Sequence, residues 1–146
     1  MNRSLGRSVL AIVAGFLFIG VCATGADLAL KAGLPESFGP GGRVDSVPLL
    51  LFMQGYVALF AITGCWLAAH LAPNHPMRHA LILGALGFVF NIVGISQMWD
   101  TAPAWFHVMS LALVMPYAWF GGWLHTSRRN RDELGRSTGS RAAAQG

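Results

Sequence analysis

The chain has 146 residues, 54% of them hydrophobic and only 11% charged, where average globular chains carry roughly 25% charged residues. Too few charges are present to cover a water-soluble domain of this size, whereas a surface that faces lipid needs no such cover. The net charge of +4 does not point to nucleic acid, because the basic residues lie between or outside apolar runs and no aromatic-basic surface is visible.

The length suits one domain, and four apolar runs fill most of it. They cover residues 9–30, 49–71, 80–98 and 105–124. A helix rising about 1.5 Å per residue needs about 20 residues to cross a hydrocarbon core of about 30 Å. Soluble helices of that length, apolar on every side, would have no face for water. The reading is an all-α, membrane-embedded, up-down four-helix bundle over residues 1–125, followed by a tail.

The first run carries Asp27 near its end. Arg3 and Arg7 ahead of it, with Ala23-Thr24-Gly25-Ala26 behind, also resemble a signal peptide with a small-residue cleavage site. The run continues to Leu30, longer than an ordinary signal core, and three more spans follow, so a first span is the better reading. Residues 31–48 are rich in glycine and proline and read as an irregular loop. Pro73-Asn74-His75-Pro76-Met77-Arg78-His79 is a tight turn, and residues 99–104 form a short connection. From Thr126 onward the composition is Arg, Ser, Gly and Ala with no apolar period, which predicts disorder over 126–146.

Charge orients the spans. With the N-terminus, the 73–79 turn and the tail on one side, that side holds Arg3, Arg7, Arg78, Arg128, Arg129, Arg131, Arg136 and Arg141, while the other holds only Lys31 and Arg43. The positive-inside rule then predicts both termini in the cytoplasm of a cell whose inner membrane the chain crosses. Trp99 and Trp105 fall at the outer interface and Trp123 at the inner one. The basic cluster at Arg128, Arg129 and Arg131 serves topology and attracts anionic lipid.

Lipid gives no hydrophobic gain from bringing helices together, so small residues mark the interfaces. The first span offers Ser8, Ala11, Gly15, Phe18, Cys22 and Gly25. The second offers Gln54, Ala58, Ala61, Cys65, Ala68 and Ala72, and the third Ala80, Gly84, Gly87, Asn91, Gly94 and Met98. Spacings of four and three place each set on one seam and predict a compact left-handed bundle. Pro116 is expected to kink the fourth span.

The chemistry-bearing residues are sparse. Cys22 and Cys65 sit about 21 Å and about 10 Å from the inner side by helical rise, too far apart in depth for a disulfide. His70, His75, His79 and His125 fall near the inner face with no zinc-ligand spacing, so neither metal nor other cofactor is expected. The distinctive group is Asp27, Gln54, Asn91 and His107, one per span, each about 5 to 10 Å below the outer boundary. Polar groups at that depth are either interhelical hydrogen-bond ties or the lining of an outward-facing pocket, with Asp27 as anion and His107 as proton partner. No nucleophile elbow, phosphate loop, zinc motif or dinucleotide fingerprint is present, which argues against an enzyme.

Gly64-Cys65-Trp66-Leu67-Ala68-Ala69-His70-Leu71-Ala72-Pro73, Met77-Arg78-His79-Ala80-Leu81, Pro103-Ala104-Trp105, and Pro116 with Gly121-Gly122-Trp123-Leu124 together resemble a loose group of small uncharacterised bacterial four-transmembrane-helix proteins with no known activity. The resemblance implies a bacterial inner-membrane location. The expected role is a structural, accessory or regulatory subunit, partnered by the bilayer and by a second copy or another membrane protein. The alternatives are an ion or small-molecule binding or transport element, and a small redox or lipid-handling enzyme.

Overall fold

The computed structural model describes residues 3–72 and 74–144, with side chains for 6–72 and 74–131. Pro73 and the side chains of Arg3, Arg136 and Arg141 lie outside them. Four long helices follow one another: α1 (Arg3–Gly33), α2 (Val47–Leu71), α3 (Pro76–Gln97) and α4 (Ala104–Ala144), with no strand among the described residues. Each contains a stretch long and apolar enough to cross a membrane, the four being Gly6–Gly33, Val47–Leu71, Pro76–Gln97 and Ala104–Arg131. Hydrocarbon offers no partner for a backbone amide or carbonyl, so a spanning segment that bonds internally along its whole length is the physical expectation. Large apolar side chains point outward, with Val21 70%, Leu10 65% and Val108 65% exposed. In water that surface would be untenable; in lipid it is the solvent-matched face. The chain is a multi-pass membrane protein.

Helix α4 does not end where the apolar run ends. It continues past Thr126 to Ala144, where the composition predicts disorder. Arg, Glu, Leu and Ala in this stretch are good helix formers. A helix already nucleated in the membrane extends at one hydrogen bond per added residue, without a new nucleation cost. Pro116 lies inside α4 and does not interrupt it, although its missing amide leaves the Ala112 carbonyl without the usual helical donor.

The helices alternate in direction, so the starts of α1 and α3 share one end with the close of α2 and with His125 of α4. We call this the basic end, and the opposite one the loop end. α2 packs against all three other helices, while α1 also touches α3, and α3 packs against α4. The cross-section is thus a rhombus with α2 and α3 on its short diagonal and α1 and α4 at the far corners.

Small residues make these contacts. A side chain on Gly15 would strike the Gly64 carbonyl and Leu83 Cδ2, both at 2.7 Å, and one on Gly64 would strike Ile19. On the other flank, Gly121 faces the Ile62 carbonyl and Cys65 Cβ of α2, and Gly84 faces Ala118. Around these crossings lies a core of Cys65, Ala68, Ala69, Ala80, Leu83 and Ala118, backed by Ile12, Phe16 and Ile19. The expected seams of α1 and α3 hold in the basic half only, where Ala11, Gly15, Ala80 and Gly84 are buried while Gly25, Gly94 and Met98 are exposed; that of α2 is buried at Gln54 as well as at Cys65 and Ala68.

The loop end is better ordered than its glycine content suggests. Residues 34–46 contain two single 3₁₀ turns, Pro35–Ser37 and Pro40–Gly42, and Gly41 and Gly42 take φ of 70° and 82°. Those left-handed values are readily adopted only by glycine, which is why the pair stands at this bend. The Val44 amide donates to the Thr101 carbonyl at 2.9 Å, and Arg43 Nη1 donates to the Asp100 carbonyl at 3.1 Å. Val44, Leu50 and Ala102 form a second small core with Phe38, Leu49 and Phe106. The first connection is therefore stitched to the third. Arg43 also pairs with Asp45 at 2.9 Å, whose hydrogen bonding and charge hold the guanidinium more firmly protonated than usual.

Candidate functional site

The four polar side chains expected to share a pocket do not converge. No hydrogen bond or ion pair joins any two of Asp27, Gln54, Asn91 and His107. Each of the other three apart from Asn91 is held by a partner of its own.

Gln54, on α2, is 7% exposed. Its Nε2 donates to the Tyr117 hydroxyl at 3.1 Å, and the Ser110 hydroxyl donates to its Oε1 at 2.8 Å. Ser110 and Tyr117 are seven residues apart, two turns along one face of α4. The carboxamide sits between them and uses its donor and acceptor sides at once. This is a two-point tie between α2 and α4, formed where hydrocarbon provides no competing water.

Asp27, on α1, accepts a hydrogen bond from the Tyr56 hydroxyl of α2. This contact ties the loop-end half of α1 to its neighbour. Asp27 itself is exposed, at a depth from which a carboxylate can reach the headgroup region. His107, also 7% exposed, donates from Nε2 to the Trp99 carbonyl at 3.0 Å, and its ring stacks on the Trp99 indole with centroids 5.2 Å apart. Because a carbonyl only accepts, the hydrogen must be on Nε2. His107 thus fastens the α3–α4 connection rather than facing Asp27. Asn91 is half-buried on α3, with no side-chain hydrogen bond among the described residues.

Among the described residues no buried side-chain polar atom lacks a partner, and no group of three His, Cys, Asp or Glu side chains stands together. Cys22 and Cys65 are free thiols. The arrangement at the loop end is a set of three separate polar ties.

Sequence reasoning missed a second cluster, at the basic end. The Trp66 ring stacks on His70 at 5.3 Å, and His70 meets His125 edge to face at 5.4 Å. These rings join α2 to α4 at the membrane boundary. The signal was present in part, since His70 and His125 both fall near that face, but Trp66 lies one turn deeper and reads as an ordinary aromatic. Two recesses accompany these features. One, of about 460 Å³, runs along the loop-end half of α1 beside Phe16, Leu17, Gly20, Val21, Thr24 and Leu28. The other, of about 210 Å³, lies between α2 and α4 beside Trp66 and Arg128.

No protein-family model matches the chain, and no match is found among curated proteins or solved structures.

Proposed function

We propose that this protein is a structural, accessory or regulatory subunit of a bacterial inner membrane, with both termini in the cytoplasm, working through association with another transmembrane helix. It belongs, on this reading, with the small four-helix bacterial membrane proteins it resembles. The observation that carries the proposal is the unfilled loop-end half of α1. Gly20 and Gly25 have no atom within 4 Å of where a side chain would start, and the 460 Å³ recess lies beside them. In the basic half of the same helix Gly15 is instead packed against Gly64 and Leu83. Between transmembrane helices, association depends on close van der Waals approach at small residues, which this open stretch offers to a partner. Asp27, Gln54 and His107, meanwhile, are each engaged in an internal tie, and with Asn91 they form no converging set. Arginine placement supports the orientation.

The experiment is purification of tagged protein from native membranes in mild detergent, with mass spectrometry and mass measurement of the complex. A stoichiometric membrane partner or a second copy is the expected result. A lone monomer from several mild extractions would refute association. Reporter fusions should find both ends in the cytoplasm, and a split result would refute the orientation.

A further inference from the structure

We propose that the cleft between α2 and α4 at the basic end is a binding site for one anionic phospholipid. Ile62, Thr63, Trp66, Leu124 and Arg128 line it, enclosing about 210 Å³. Its chemistry is graded along the membrane normal. Ile62 and Leu124 form apolar walls suited to an acyl chain, Trp66 stands at the interfacial level, and Arg128 occupies the outer rim, one turn beyond Leu124.

The polar inventory leaves Arg128 as the group open to a ligand. The Thr63 hydroxyl donates to the Leu59 carbonyl of its own helix at 2.7 Å, and Trp66 stacks on His70. Arg128 is exposed and has no ion pair or hydrogen bond among the described residues. A guanidinium offers paired donors that match phosphate oxygens in a bidentate geometry. Arg129 and Arg131 lie within one turn and add positive field. Charge complementarity therefore selects an anionic headgroup, and the apolar walls select a lipid over a free anion, which would gain nothing from Ile62 or Leu124. Basic recesses between transmembrane helices at the headgroup level are the general form of such sites.

The test is native mass spectrometry of the detergent-purified full chain titrated with dioleoyl phosphatidylglycerol or dioleoyl phosphatidylcholine. One phosphatidylglycerol should be retained in preference to phosphatidylcholine. Arg128→Gln should weaken its retention roughly fivefold, equivalent to about 1 kcal/mol for one interfacial charge. Ile62→Trp, which fills the cleft and leaves every arginine in place, should weaken it as well, while Arg43→Gln at the loop end should not. Millimolar inorganic phosphate should fail to displace the lipid. Wild-type retention in both Arg128→Gln and Ile62→Trp would overturn the site, as would equal retention of the two lipids or displacement by phosphate. Arg128 projects beyond the packed bundle, so its replacement should leave the helical content intact by circular dichroism.

Discussion

Gln54 has the most consequential side chain in the loop-end half, because one carboxamide satisfies two groups on α4. Interhelical hydrogen bonds in membranes contribute about 0.6 kcal/mol each on average and up to about 1.7. Replacing Gln54 by Leu removes two of them and leaves the Ser110 and Tyr117 hydroxyls to find other partners. Thermal unfolding in detergent should therefore show a loss of about 1 to 2 kcal/mol for Gln54→Leu, and a smaller loss for Ser110→Ala. Equal stability of Gln54→Leu and wild type would show that the tie is not structural. Asp27, Gln54, Asn91 and His107 stood out in the sequence because each interrupts an apolar run at a definable depth. Their partners did not stand out. Helical rise gives depth but no azimuth, and Ser110, Tyr56 and Tyr117 are unremarkable in a span. The Trp99 carbonyl that receives His107 is a backbone group with no sequence signature at all.

At the scale of helices, the bundle is held by close approach at glycine. Gly15 and Gly64 bring α1 and α2 together with no room for a β-carbon branch. Gly15→Leu should force α1 away from α2 and cost about 1 to 3 kcal/mol, as overpacking does in tight interiors. The matched control is Gly20→Leu, since nothing stands within 4 Å of that position. In the isolated chain it should leave thermal stability near wild type, and similar losses at both positions would contradict the assigned crossing. The small-residue periodicity of α1, α2 and α3 was legible before the structure, and it located the buried half of each seam correctly. In α1 and α3 it extended the seam too far, because a seven-residue repeat marks a helical face without saying how far along a neighbour remains in contact. Gly25 and Gly94 fit the repeat as well as Gly15 and Gly84 do, yet lie exposed. For α4 the packing face is made by Ala118, Gly121 and Gly122, two of which are adjacent and hide the period. Helix α4 also runs on past its apolar stretch, since a tail without an apolar stripe can still propagate a helix already formed in the membrane.

The whole molecule is a bundle whose two halves differ. The basic half is closed by alanine and glycine contacts among all four helices. The loop half is joined by a few polar ties and by the link from Val44 and Arg43 to the α3–α4 connection. The number and order of the long helices followed from hydropathy alone, since 146 residues with so few charges can satisfy four long apolar stretches only in lipid. Which helix neighbours which did not follow, because short connections fix antiparallel succession but not the diagonal of the rhombus. That diagonal leaves the loop-end half of α1 with an open face, on which the proposed association depends. The most direct measurement is photo-crosslinking in native membranes from a benzophenone side chain placed at Val21 or at Val108. Both positions are strongly exposed, at 70% and 65%, but only Val21 borders the recess on α1. A discrete protein adduct from position 21 and none from position 108 is the expected result. No adduct at position 21, or the same adducts from both faces, would contradict an association surface on α1.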